Sequence, residues 1–76
     1  LSISSNIAEG VERGTSKDQR QFFRIAKSSC SEFRSQSSIA KEVGYIDDCT
    51  AVEWQIQAEE ISKMLSGLIR SKSFSP

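Results

Sequence analysis

Apolar side chains recur along this chain at helical intervals of three and four. The pattern predicts helices over residues 1–13, 16–43 and 48–71, with a short tail at 72–76. In the first segment Leu1, Ile3 and Ile7 already have helical spacing, and Ile3, Ile7 and Gly10 form one stripe with Asn6 on its flank. In the second, Phe22, Ile25, Ala26, Ser29, Phe33, Ile39, Ala40 and Val43 alternate short and long steps as a bundle-facing helix does. The stripe of the third is Trp54, Ala58, Ile61, Met64, Leu65 and Leu68. Val52, Ile56 and Ile69 fall off that stripe, and a helix with apolar residues on a second face has a second surface to cover. They are therefore the expected subunit contacts. No stretch of four or more residues alternates between apolar and polar, so the fold class is all-α.

Local signals mark the ends of these helices. Gly14 is placed to stop the first in a left-handed conformation. In "TSKDQ", Thr15 with Asp18 or Ser16 with Gln19 supplies a cap and a side chain that reaches back to it. Gly44 closes the second helix, "YIDD" makes the turn, and Asp47 or Asp48 caps the third.

Some polar residues stand where apolar ones are expected. Glu32 lies seven residues after Ile25 and seven before Ile39, which aims it at the expected core. A carboxylate there is unfavourable unless paired or hydrogen-bonded. The reading adopted is a structural polar network of Asn6, Glu9, Arg13 and Glu32 that fixes how the first two helices pack, with Gly10 allowing close approach. The competing reading, in which Glu9 and Glu32 serve as catalytic acid and base, requires a cleft and shifted pKa values.

Composition narrows the function further. A chain of 76 residues makes one small domain, and it buries only about 60 to 65% of its unfolded surface, so its own core is marginal and partners are expected. No apolar run approaches the ~20 residues that span a bilayer, so no membrane association is expected, and the cytoplasm is the expected compartment. Cys30 and Cys49 are nineteen positions apart in a chain with no histidine. That removes the Ser/His and Cys/His catalytic pairings within this chain, and no metal site and no cofactor is expected. The two thiols read as small buried or half-buried side chains. Fifteen serines are spread through the helical patterns, so only "SKSFSP" has the character of a low-complexity tail.

Net charge is zero, yet the charges are not evenly spread. Lys17, Arg20, Arg24, Lys27, Arg34 and Lys41 follow at steps of three, four, three, seven and seven, a row along one side of the second helix and opposite its expected core stripe. Ser31 and Ser38 fill the gaps. From Glu42 to Glu60 there are six carboxylates and no Lys or Arg. One reading makes the row a solvated face whose partners are those acids, in this chain or a neighbouring one. The other makes it a ridge for phosphates, multiplied by a symmetric oligomer. No aromatic residue interleaves with the row, so base stacking is not indicated and any nucleic-acid contact is to shape and charge.

Together, "SISSNIAEG", "FFRIAKSSCSEF", "SIAKEVGYI" and "ISKMLSGLIR" resemble the bacterial four-helix-bundle proteins of the 23S rRNA intervening-sequence protein family. The family's box falls here on Ser2, Ile3, Asn6, Ile7, Ala8, Glu9 and Gly10, with its arginine at Arg13. Its next helix falls on Phe22, Ile25, Ala26, Ser29 and Glu32, and its turn on Gly44, Tyr45 and Ile46. The resemblance implies an antiparallel up-and-down four-helix bundle, of which the first helix and part of the second are absent from this chain, assembled as a ring-shaped homopentamer. It also implies kinship with the accessory protein of diversity-generating retroelements, a basic pentamer that binds nucleic acid and reverse transcriptase. Cys30 and Ser37 stand where the family usually has leucine. The expected function is thus a non-enzymatic oligomeric bundle contacting RNA or DNA without sequence readout through the basic row. The alternative is a protein-interaction scaffold that binds no nucleic acid.

Overall fold

A computed structural model describes residues 3–73, and within them three helices and no strand: α1 over Ile3–Glu12, α2 over Ser16–Glu42 and α3 over Asp48–Ser73. Leu1, Ser2 of the family box and most of the expected tail, residues 74–76, lie outside the described residues. α3 continues two residues past its expected end at 71, with Arg70 and Lys72 in the last turn, where cations favour the helix terminus.

The helix ends follow local chemistry at three of the four expected places. The Thr15 hydroxyl accepts the Asp18 amide at 3.2 Å, so Thr15 is the N-cap of α2. At the other end Gly44 has φ +84°, the Tyr45 amide donates to the Ala40 carbonyl at 2.9 Å, and the Gly44 amide donates to the Lys41 carbonyl at 3.1 Å. This double closure uses carbonyls that α2 leaves unpaired. Asp47 caps α3 by accepting the Thr50 amide at 2.6 Å. Gly14 differs from the expectation: it is not in the left-handed region, and α1 closes instead with the Arg13 amide on the Gly10 carbonyl.

α2 is the spine. α3 returns antiparallel along it, since Arg20 meets Lys72, Arg34 meets Gln55 and Lys41 meets Asp48. α1 also runs antiparallel to α2, with Gly10 against Phe22 and Phe23 and Ile3 beside Ser29 and Phe33. The core is Phe23, Ala26, Cys30 and Leu65, flanked by Ile3, Ile7, Ile61, Leu68 and Ile69. Burial pushes the Cys30 thiol up. Farther along, Phe33 and Trp54 pack with ring centroids 5.6 Å apart.

This core corrects the expected register of α2. The buried positions are Phe23, Ala26, Cys30 and Ser37, while Ile25 is 43% exposed and Ile39 62%, and Val43 is open as well. Ala26 is buried as expected, but at 3.6 residues per turn, moving the stripe from Phe22 and Ser29 to Phe23 and Cys30 turns the buried face by roughly a quarter of a turn. Small side chains at 26, 30 and 37 let α3 approach closely, and the Ser37 hydroxyl is satisfied by donating to the Phe33 carbonyl at 2.8 Å. On α3, Met64 is likewise exposed.

Candidate nucleic-acid interface

The rotation of α2 relocates both candidate sites. With the core on Phe23, Ala26, Cys30 and Ser37, the basic row no longer lies opposite the core but borders the α2–α3 seam. Arg20 is half-buried and its Nη1 donates to the Lys72 carbonyl at 2.9 Å. The Arg34 Nε–H donates to the Gln55 Oε1 at 3.2 Å, and the Gln55 amide nitrogen donates back to the Arg34 carbonyl at 2.7 Å and to the Ser38 hydroxyl at 3.3 Å. Lys41 Nζ stands 4.0 Å from an Asp48 carboxylate oxygen. Lys17, Arg24 and Lys27 are exposed and, among the described residues, have no carboxylate within ion-pair distance.

Shallow depressions follow the seam. One of about 430 Å³ is lined by Arg24, Lys27, Ser28, Ser31 and Ile69. The next, about 320 Å³, is lined by Ser31, Arg34, Ser35, Ser38 and Gln55. Gln55 and Ser35 were not singled out from sequence, and nothing in the sequence marks them. A glutamine one position past Trp54 is an ordinary polar neighbour of a core stripe until the fold sets it beside Arg34.

The expected network of Asn6, Glu9, Arg13 and Glu32 does not form as one unit. Glu9 pairs with Arg13 at 2.9 Å on the surface, and the Arg13 guanidinium lies 4.6 Å from the centre of the Phe22 ring. Both side chains are about half exposed, so the pair contributes only about 0.2 to 0.5 kcal/mol. Glu32 is exposed and, among the described residues, has no hydrogen-bond or ion-pair partner. The reason is the same rotation: the face that carries Ile25 and Ile39 outward carries Glu32 with it. Asn6 is half-buried. Gly10 is buried as expected of a close contact, since a Cβ there would come within 2.7 Å of the Phe23 ring.

Of the three expected subunit contacts, Val52 and Ile56 are exposed, while Ile69 packs against the core. Among the described residues no group of three His, Cys, Asp or Glu side chains is arranged to hold a metal, and no helix is long and apolar enough to cross a membrane.

The Gly10 contact, the two half-buried isoleucines of α1 and the Gly44–Tyr45–Ile46 turn thus sit where the quoted motifs place them. The family model described as 23S rRNA-intervening sequence protein matches residues 1–67. The chain belongs to the 23S rRNA intervening-sequence protein family. No curated protein and no solved structure matches it. The family is not known as an enzyme family. In this member of the intervening-sequence family, the seam gathers cations and hydroxyls, of which Arg24 and Lys27 have no carboxylate within ion-pair distance among the described residues.

Proposed function

We propose that this intervening-sequence protein is a non-enzymatic helical-bundle subunit that assembles into an oligomer and holds RNA or DNA by the phosphate backbone. The observation that carries the reading is the state of Lys17, Arg24 and Lys27: exposed, adjacent along α2, and without carboxylate partners among the described residues. Unpaired cations in a row are free to replace the counterions of successive phosphates. Phe33 and Trp54 are committed to packing against each other, so the interface offers charge and no base stacking. The open faces of α2 at Ile25, Ile39 and Val43 and of α3 at Val52 and Ile56 support cover by a further helix and by other subunits, as a four-helix bundle in a homopentamer provides.

The test is the affinity of the purified protein for a mixed RNA, and for duplex DNA, across a salt series. Neutralisation of three phosphates per subunit predicts that log affinity falls with log salt at a slope of about −2 to −3. Absence of binding at low salt overturns the proposal. The second reading, a scaffold for protein only, draws on the Lys41–Asp48 approach at 4.0 Å, in which one cation of the row faces a carboxylate.

A further inference from the structure

We infer that the phosphate seat follows the α2–α3 trough only as far as Arg34, and that the Lys41 end of the same row takes no part in it. The inference rests on the nucleic-acid reading above and adds the footprint and the chemistry of the ligand group: the phosphodiester oxygens, read without regard to the base.

The seam changes character along its length. The two depressions that meet at Ser31 are lined by Arg24, Lys27 and Arg34, by the hydroxyls of Ser28, Ser31, Ser35 and Ser38, by the Gln55 amide and by Ile69, with no carboxylate in either lining. The cations and the serine hydroxyls there can donate hydrogen bonds, which is what a phosphate oxygen accepts, while the Gln55 N–H groups are taken by the Arg34 carbonyl and the Ser38 hydroxyl. Farther on, the depression of about 210 Å³ is lined by Ser38, Lys41, Ala51, Val52, Gln55, Ile56 and Glu59. An anion at that end meets the Glu59 carboxylate and two exposed apolar side chains, and Lys41 leans toward Asp48. Four cations that form one row in sequence therefore line two different surfaces in space.

Arg34 is posed for this task. Its Nε–H is taken by Gln55, and the Gln55 amide is itself oriented by the Arg34 carbonyl and the Ser38 hydroxyl. The terminal nitrogens of the guanidinium keep their four N–H groups, which have no protein partner among the described residues. A fork held in place loses less conformational freedom on meeting a phosphate than a free lysine does. Along the helix axis Lys27 and Arg34 are about 10 Å apart, enough for more than one phosphate between the ends of the trough.

The experiment compares variants of equal charge change: Lys27→Glu, Arg34→Glu and Lys41→Glu. Each is titrated against a short labelled RNA at low salt and across a salt series, with circular dichroism checking helix content. Lys27→Glu and Arg34→Glu are expected to weaken binding by about tenfold and to lower the salt slope by about one, while Lys41→Glu stays within about threefold of wild type. Gln55→Ala keeps the net charge and releases Arg34, and is expected to weaken binding by about threefold. An RNA strand carrying abasic positions should compete as well as the intact strand. Equal losses for all three reversals would mean that net charge alone acts, which overturns the confined seat and leaves the broader nucleic-acid reading standing. No binding by the wild type at low salt overturns both. Preference for intact over abasic strand overturns base-independent reading.

Discussion

Gly10 shows how one missing side chain sets a helix contact. In the middle of a helix, glycine to alanine ordinarily stabilises by about 1 kcal/mol. Here the added Cβ would lie 2.7 and 3.0 Å from two atoms of the Phe23 ring and 3.2 Å from the Phe22 Cβ. Phe23 is buried and cannot swing aside without opening the core. Overpacking of this kind costs about 1 to 3 kcal/mol, so it wins over the helix-propensity gain. Gly10→Ala is accordingly expected to lower the denaturation midpoint, with a net loss of about 1 kcal/mol. Gly67 supplies the control, because a Cβ there meets nothing within 4 Å and Gly67→Ala should raise the midpoint. A rise for both would show that α1 does not sit this close to Phe23. The Glu9–Arg13 pair beside it is solvated and is not expected to weigh in this balance.

At the scale of elements, the parts of the fold decided by neighbours in sequence were legible and the parts decided by packing were not. Thr15, Gly44 and Asp47 were readable because a cap or a left-handed glycine involves only residues within one turn. The register of α2 was not, because burial follows how closely α3 can approach. That approach is set by Ala26, which the expected stripe contains, and by Cys30 and Ser37, whose small side chains carry a weaker signal than Ile25 and Ile39. The misplacement of Glu32 and of the basic row's direction both follow from that one rotation. The Asp47 cap carries a pH prediction. Hydrogen bonds from Thr50, side chain first and amide second, hold the Asp47 carboxyl below the usual aspartate range. A folded-state pKa below the unfolded one gives a contribution that is present at neutral pH and is lost as pH falls through the folded value. The stability difference between wild type and Asp47→Asn should therefore be larger at neutral pH than in acid, as thermal melts at both conditions can read. A difference that is the same at both ends would remove the charged cap from the account.

The whole molecule is long and thin, 48 × 19 × 13 Å, with a radius of gyration of 14.2 Å. A compact chain of this length would have about 11 Å. Among the described residues six apolar side chains are buried, and four of them are as small as alanine or cysteine, Ala26, Cys30, Ala51 and Ala58, whereas Val11, Ile25, Ile39, Val43, Tyr45, Val52, Ile56 and Met64 stay exposed. A core this small leaves much of the apolar surface exposed, which is what the proposed assembly would cover. The basic end of the seam, by contrast, is built of side chains that gain nothing from burial in another protein unless acids meet them. The proposed function therefore assigns assembly and nucleic-acid contact to different surfaces, and one variant separates them. The decisive measurement is made on Arg24→Glu/Lys27→Glu beside the wild type: mass by light scattering and RNA affinity at low salt on the same preparations. The account predicts an unchanged oligomer mass with RNA binding lost by a factor of ~100. A fall in mass, or RNA binding equal to that of the wild type, would contradict it.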